Sequence, residues 1–195
     1  MVANPSVPAK TVPEFIAYAR ANQGKINMAA PGIGSPQHIS GELFKMMTGV
    51  NIVSVPYRGG APAIADLLGG QVQIFFPALI AAIEYLRTGK LRALAVTSAT
   101  RTEVLPDVPT MSEFVPGYEA SFWLGLGAPK NTLTETINKL NKEINAALAD
   151  PQIKARFAEL GGTPLPGSPT DFGMLVADET EKWAKVIRAG GIKPE

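Results

Sequence analysis

Apolar and polar positions follow two rhythms along this chain, and proline and glycine mark where one gives way to the other. Residues 13–22 place Phe15, Ile16, Tyr18 and Ala19 at helical spacing, with Pro13 at the start and Gly24 as the stop. Residues 1–12, with Pro5 and Pro8, read as extended. A strand over 25–30 comes next, then a helix carrying Ile39, Leu43, Met46 and Met47. The β-branched run 51–55, bounded by Gly49 and Pro56, predicts a second strand. Pro62 opens a helix with Ile64, Leu67 and Leu68, and Gly69 and Gly70 close it. Residues 72–76 predict a third strand, 79–87 a helix and 91–97 a fourth strand. Strands alternating with helices through short connections predict right-handed crossovers and a mainly parallel sheet covered by helices.

Beyond residue 100 the rhythm changes. Residues 101–118 are proline-rich and aperiodic, so they read as a loop with one helical turn near Met111. The apolar stretch 120–128, ASFWLGLGA, predicts an extended strand. Leu133, Ile137, Leu140, Ile144 and Leu148 then share a helical face. Asp150 followed by Pro151 starts another helix with Ile153, Phe157 and Leu160, and 171–189 carries a last one with Phe172, Leu175, Val176, Trp183 and Ile187. These helices have apolar stripes and no sheet of their own in the pattern. A stripe must be buried against another layer, so they are the anomaly of the chain.

Composition narrows the function. A net charge of +1 without a basic run excludes a general nucleic-acid binder. No apolar run reaches the roughly 20 residues that span a bilayer. The absence of cysteine removes disulfides, thiolate metal sites and a cysteine nucleophile, and one histidine cannot make a metal cluster. No metal or cofactor is expected. The N-terminus has no basic region followed by an apolar stretch, so no secretory signal is read in this chain, and a cytoplasmic protein is expected if Met1 is the natural start.

The candidate chemistry gathers in the stretch 26–49, INMAAPGIGSPQHISGELFKMMTG. Gly32 and Gly34 allow a tight turn, Ser35 stands at a helix N-cap, and Pro36 follows at the first helical position. The start of a helix offers unpaired N–H groups and partial positive charge, which suits an anion. Ser35 is a plain cap or a cap that also meets a carboxylate. His38 either ties the loop down as a structural residue or donates to an anion or a bridging water. A catalytic base is the weaker reading, since the acid within reach is Glu42, one turn on. After the second strand, Arg58 offers a fork for a carboxylate or is a solvated arginine beside a turn. Tyr57 reads as a pocket wall, and Gly59 and Gly34 as turn formers or backbone donors. Phe76 reads as core or as the lining of a pocket mouth.

The strings AAPGIGSPQHISGELFKMMTGVNIVSVPYRGGAPAIADLLGGQV, GKLRALAVTSATRTEVLPDVPTMSE, PGYEASFWLGLGAP and WAKVIRAGG resemble the Bug family. These are the TctC-like extracytoplasmic solute receptors of tripartite tricarboxylate transporters, with a periplasmic-binding-protein fold of type II. The resemblance covers essentially the whole chain, and it implies one shortened at its N-terminus. It also implies an α/β fold with one complete parallel-sheet lobe plus the C-terminal helices of the other lobe, which explains helices without a sheet. Residues 1–12 would be a crossover strand, 13–119 the ligand-binding lobe, and 120–195 the returning crossover and those helices. The implied function is non-covalent binding of a small organic carboxylate, in the periplasm, for a membrane transporter. The candidate ligand contacts are Gly34, Ser35, His38, Tyr57, Arg58, Gly59 and Phe76, with no catalytic residue, and for Ser35 the resemblance favours a ligand contact over a plain cap. Pro77 stands where the family often has an aspartate, which argues against amino-acid ligands. Two other functions stand beside this one. One is a shortened paralogue that assembles, as a homodimer, to cover its orphaned helices. The other is an enzyme on anionic substrates, which lacks support because neither a GxxxxGK[ST] nor a GxSxG motif is present.

Overall fold

The computed structural model describes residues 1–193. In chain order the elements are β1 (Val2–Ala3), α1 (Val12–Ala21), β2 (Asn27–Pro31), α2 (Pro36–Thr48), β3 (Val53–Tyr57), α3 (Gly60–Leu68), β4 (Ile74–Phe75), α4 (Leu79–Arg87), β5 (Arg92–Ala93), α5 (Thr134–Ala149), α6 (Pro151–Glu159) and α7 (Pro169–Ala189). The chain divides into two units, Met1–Ser121 with residues from Lys185 on, and Phe122–Ala184. Among the described residues no helix is long and apolar enough to cross a membrane.

The first unit holds a five-stranded sheet in the order β3-β2-β4-β1-β5. β2 runs parallel to β3 from Asn27↔Val53 to Pro31↔Tyr57, and parallel to β4 at Met28↔Ile74. β1 is antiparallel to both β4 and β5. The sheet is therefore mainly parallel, as the alternating pattern predicts.

Alternation along the strands sends residues to two covered faces. Val2, Ala29 and Phe75 pack with Ala63, Ile64 and Leu67 of α3 and Ala82 of α4. Met28 faces α2 instead, and α2 lies so close that a Cβ on Gly41 would overlap the Met28 thioether. Phe44 of α2 stacks in tilted contact between Phe15 of α1 and Phe76, with ring centroids 6.1 and 6.0 Å apart. Polar groups inside this core are paired. Tyr118 donates to Ser40 O at 2.9 Å, and Asn4 Nδ2 donates to Leu67 O at 2.7 Å.

The strands differ from their predicted spans for identifiable reasons. β3 runs through Pro56 instead of stopping before it. It is an edge strand, where a missing N–H costs no ladder bond. The third and fourth strands shrink to two residues each: both pair with the two-residue β1, and β4 meets β2 only at Met28↔Ile74. The strand expected over 120–128 does not form. Ala120 N–H bonds Thr97 O at 2.9 Å, and after it no ladder partner takes up the backbone among the described residues. Leu124 and Leu126 are 85% and 74% exposed.

In Phe122–Ala184 three helical segments form with good local chemistry. Asp150 caps α6 by accepting from Gln152 N at 2.8 Å and Ile153 N at 3.2 Å. Asn145 of α5 clasps the backbone of Gly167 on both sides, accepting its N–H at 3.1 Å and donating to its carbonyl at 2.9 Å. Trp123 meets Phe172 edge-on at 5.7 Å. A side chain on Gly125 would collide with that Phe172 ring. No residue of this unit is buried.

Candidate functional site

The sheet order sets where a ligand site belongs. From β2 the chain passes through α2 to β3 on one side, then through α3 across to β4 on the other. The direction of winding reverses at β2. In open α/β sheets the crevice beyond the carboxyl ends of the strands at such a reversal is the usual ligand position. Pro31 and Tyr57 pair at that end of β2 and β3, so the loops before α2 and α3 emerge side by side. Both loops are exposed at Gly32, Ile33, Gly34, Arg58, Gly59 and Gly60. The two turns therefore reach solvent.

The first loop is fastened by hydrogen bonds. Ser35, at φ −60° and ψ 155°, is the N-cap of α2, and its Oγ accepts from His38 N at 3.3 Å. Ser35 N–H donates back to Gly32 O at 3.2 Å. Gly34, at φ +75°, donates its N–H to His38 Nδ1 at 3.1 Å. The N–H of Gln37, by contrast, has no hydrogen-bond partner among the described residues.

His38 is 7% exposed, and its Nε2 lies 3.4 Å from Glu42 Oε1. Glu42, also 7% exposed, accepts on the same oxygen from Lys45 Nζ at 2.8 Å and from Ser54 Oγ of β3 at 2.6 Å. Burial alone pushes the Glu42 carboxyl up. The hydrogen bonds from His38, Lys45 and Ser54 outweigh it and hold the pKa down at about 2. Glu42 is thus a charged acceptor inside the unit, engaged through Oε1 by His38, Lys45 and Ser54. Its i, i+4 spacing from His38 was readable in the sequence. The contribution of Ser54, twelve residues away on another strand, was not.

The second loop is open where the first is closed. Gly59, at φ +104°, takes a conformation that favours glycine, and no side chain caps α3. The N–H groups of Gly59, Gly60 and Ala61 have no partner among the described residues. Arg58 is exposed, and no ion pair or hydrogen bond engages its guanidinium among those residues. Tyr57 is half-buried against the apolar cluster, and its hydroxyl donates to Asp66 Oδ2 at 2.8 Å. Desolvation, and then the Asp66 carboxylate, push that phenol up to about 12. Tyr57 is a wall with its polar end already engaged. Phe76 is 4% exposed and stacks on Phe44, so its side chain belongs to the core and not to the mouth of the site. The structure thus brings Gly34, Ser35, His38, Arg58 and Gly59 to one end of the sheet and sets Phe76 inside it.

Comparison with known proteins bears on this arrangement. The family model "Tripartite tricarboxylate transporter family receptor" matches residues 1–192. Protein BugT of Bordetella pertussis is 39% identical over 194 residues, which is 99% of this chain and 60% of the relative. R. palustris Rpa4515, solved with adipate, superposes with a TM-score of 0.88 at 39% identity, covering 100% of this chain and 65% of that one. MatC from Rhodopseudomonas palustris, solved with bound malate, gives a TM-score of 0.81 at 32% identity, over 95% of this chain and 65% of that one. The chain therefore spans about 60–65% of the length of the relatives it matches so well. These likenesses agree with the α/β fold read from the strand–helix pattern and with the binding-protein fold that the family resemblance implies.

Proposed function

Because the chain belongs to the tripartite tricarboxylate transporter receptor family, we propose that it supplies one face of a non-covalent site for a small organic carboxylate. The supporting observation is the pair of loops at the switch point of the sheet. One carries unspent amides and a free guanidinium, and the other a fixed N-cap hydroxyl. The Ser35 oxygen already accepts from His38 N–H, so its own proton remains to donate. Gln37, Gly59, Gly60 and Ala61 add backbone donors, and Arg58 adds a charged fork. Each hydrogen bond to a charged group contributes about 1.5–3 kcal/mol, so a few suffice for micromolar affinity. Gly34 serves as the turn that shapes the first loop, and Tyr57 as the wall behind the second.

The solved relatives with adipate and malate direct the choice of ligand toward dicarboxylates. Titration calorimetry of the 195-residue chain with succinate, malate, adipate and citrate tests the reading. Saturable heat from at least one, weakened about tenfold or more by Arg58→Ala, is the expected result. No heat from any of the four overturns it. The family resemblance extends the proposal to a periplasmic location and a membrane transporter as the downstream partner. The 1–12, 13–119 and 120–195 division into crossover, lobe and remaining helices belongs to the same proposal. Exposed Phe122, Leu124 and Leu126 favour a second reading, assembly as a homodimer, which light scattering tests. A monomer at high concentration overturns that second reading.

A further inference from the structure

We propose that His38 is a positioning residue, a tautomer clamp through which Glu42 and Ser54 hold the first loop in its solute-receiving shape. The proposal rests on the receptor reading of that loop.

A neutral imidazole has one donor nitrogen and one acceptor nitrogen, and its surroundings choose which is which. Glu42 is a charged acceptor, so the nitrogen facing it, Nε2, carries the proton. Nδ1 is then left bare, and it faces the Gly34 N–H at 3.1 Å. Glu42 is itself held from two sides, by Lys45 of its own helix and by Ser54 of β3. A Cβ added at Gly190 would come within 3.3 Å of the other Glu42 oxygen, so that side of the carboxylate is closely packed as well. The order Ser54–Glu42–His38–Gly34 therefore runs from the sheet, through the buried face of α2, to the exposed loop. The central link, between His38 and Glu42, joins two buried side chains, where hydrogen bonds are stronger than in water, and the links at either end are partly buried.

Two consequences follow for binding. The Gly34 amide is consumed by His38, so it is not among the donors a solute meets. The loop is also ordered before a solute arrives, which lowers the ordering cost of binding. Loss of the clamp weakens binding by loosening the loop, without removing any contact to the solute.

Substitutions at position 38 separate the two nitrogens. An asparagine places its amide oxygen near the position of Nδ1, and a glutamine reaches toward that of Nε2. In the unaltered chain, imidazole nitrogen NMR shifts are expected to report the Nε2–H tautomer. Gly34 amide exchange is expected to be about tenfold faster in His38→Ala than in the unaltered chain. His38→Asn is expected to restore slow exchange, and His38→Gln is not. Dicarboxylate affinity in the calorimetric panel is expected to follow the same order. An Nδ1–H tautomer, or equal Gly34 exchange with and without His38, overturns the proposal. If His38→Ala does not fold, the tautomer and the Asn-against-Gln comparison decide. Neither measurement needs a solute. A chain that shows the clamp but binds none of the panel overturns the receptor reading and supports the clamp.

Discussion

Phe15, Ala19, Phe44 and Leu67, on helices of the first unit, are fully shut off from solvent. In Phe122–Ala184, Leu140 of α5 is 50% exposed, and Ile137, Ile144 and Leu148 on the same face are only half-buried. The helical stripes are comparable in the two regions. The first unit has a sheet of which both faces carry helices, and the second has helices, loops and one aromatic pair. A periodic stripe states that a face favours burial, and says nothing about the layer that buries it. Fully burying a large apolar side chain contributes about 1.5–3 kcal/mol, and the second unit realises only part of that at each position. Its local chemistry, in caps and in the Asn145 clasp, is as well made as that of the first.

The largest expected consequence is that the two units lose structure at different points. Both tryptophans, Trp123 and Trp183, lie in the second unit, and all four tyrosines, Tyr18, Tyr57, Tyr85 and Tyr118, in the first. In a urea titration the tryptophan fluorescence is expected to change at lower denaturant than the tyrosine near-ultraviolet signal. Coincident transitions would break the contrast. Single truncations sharpen it. Phe44→Ala removes a fully buried ring wedged between two others and is expected to cost about 3–5 kcal/mol. Leu140→Ala, at a half-exposed position, is expected to cost less than about 1 kcal/mol in the same measurement.

The same contrast explains what was legible beforehand. Helices α1, α2 and α4 could be read closely because proline, serine and glycine punctuate their ends. Strand lengths could not, since they depend on the partners a strand meets, and β1, with which both β4 and β5 pair, is two residues long. Pro56 looked like a terminator because nothing local reveals that its strand is at an edge. Ser35 as a cap, and His38 beside Glu42, follow from helical spacing. That Ser54 completes the pair, and that Phe76 turns inward onto Phe44, depend on which elements meet in space. An apolar stretch such as 120–128 states a preference for extension but cannot supply a partner.

Acid should act on the first unit through Glu42. Its folded pKa of about 2 lies below the ordinary value of 4.5, so in that window the unfolded chain binds more protons than the folded one. Stability is then fully present above pH 4.5 and is lost as pH falls toward about 2. The expected loss is about 3 kcal/mol, read from the tyrosine transition, and Glu42→Gln is expected to flatten that part of the profile. Glu159→Gln removes an exposed pair with Arg156 in the second unit and is expected to leave the profile unchanged. A profile insensitive to Glu42→Gln would mean that the buried carboxylate is not what links the sheet-bearing unit to pH.

The smallest effect compares two caps of the same design. Ser35 and Asp150 each precede a proline at the first helical position, and each accepts a backbone N–H three residues on. Replacing either with alanine removes a cap, which contributes about 1 kcal/mol. The difference lies in what the helix is attached to. α2 is packed on the sheet, so fraying its first turn disturbs the core that Leu43 and Phe44 build, and Ser35→Ala is expected to lower tyrosine-reported stability by the full amount. No residue of α6 is buried, so Asp150→Ala is expected to speed amide exchange at Gln152 and Ile153 while the tyrosine transition stays in place. If Asp150→Ala shifted that transition as far as Ser35→Ala, α6 would be energetically part of the sheet-bearing unit, and burial would be a poor guide to where cooperativity ends.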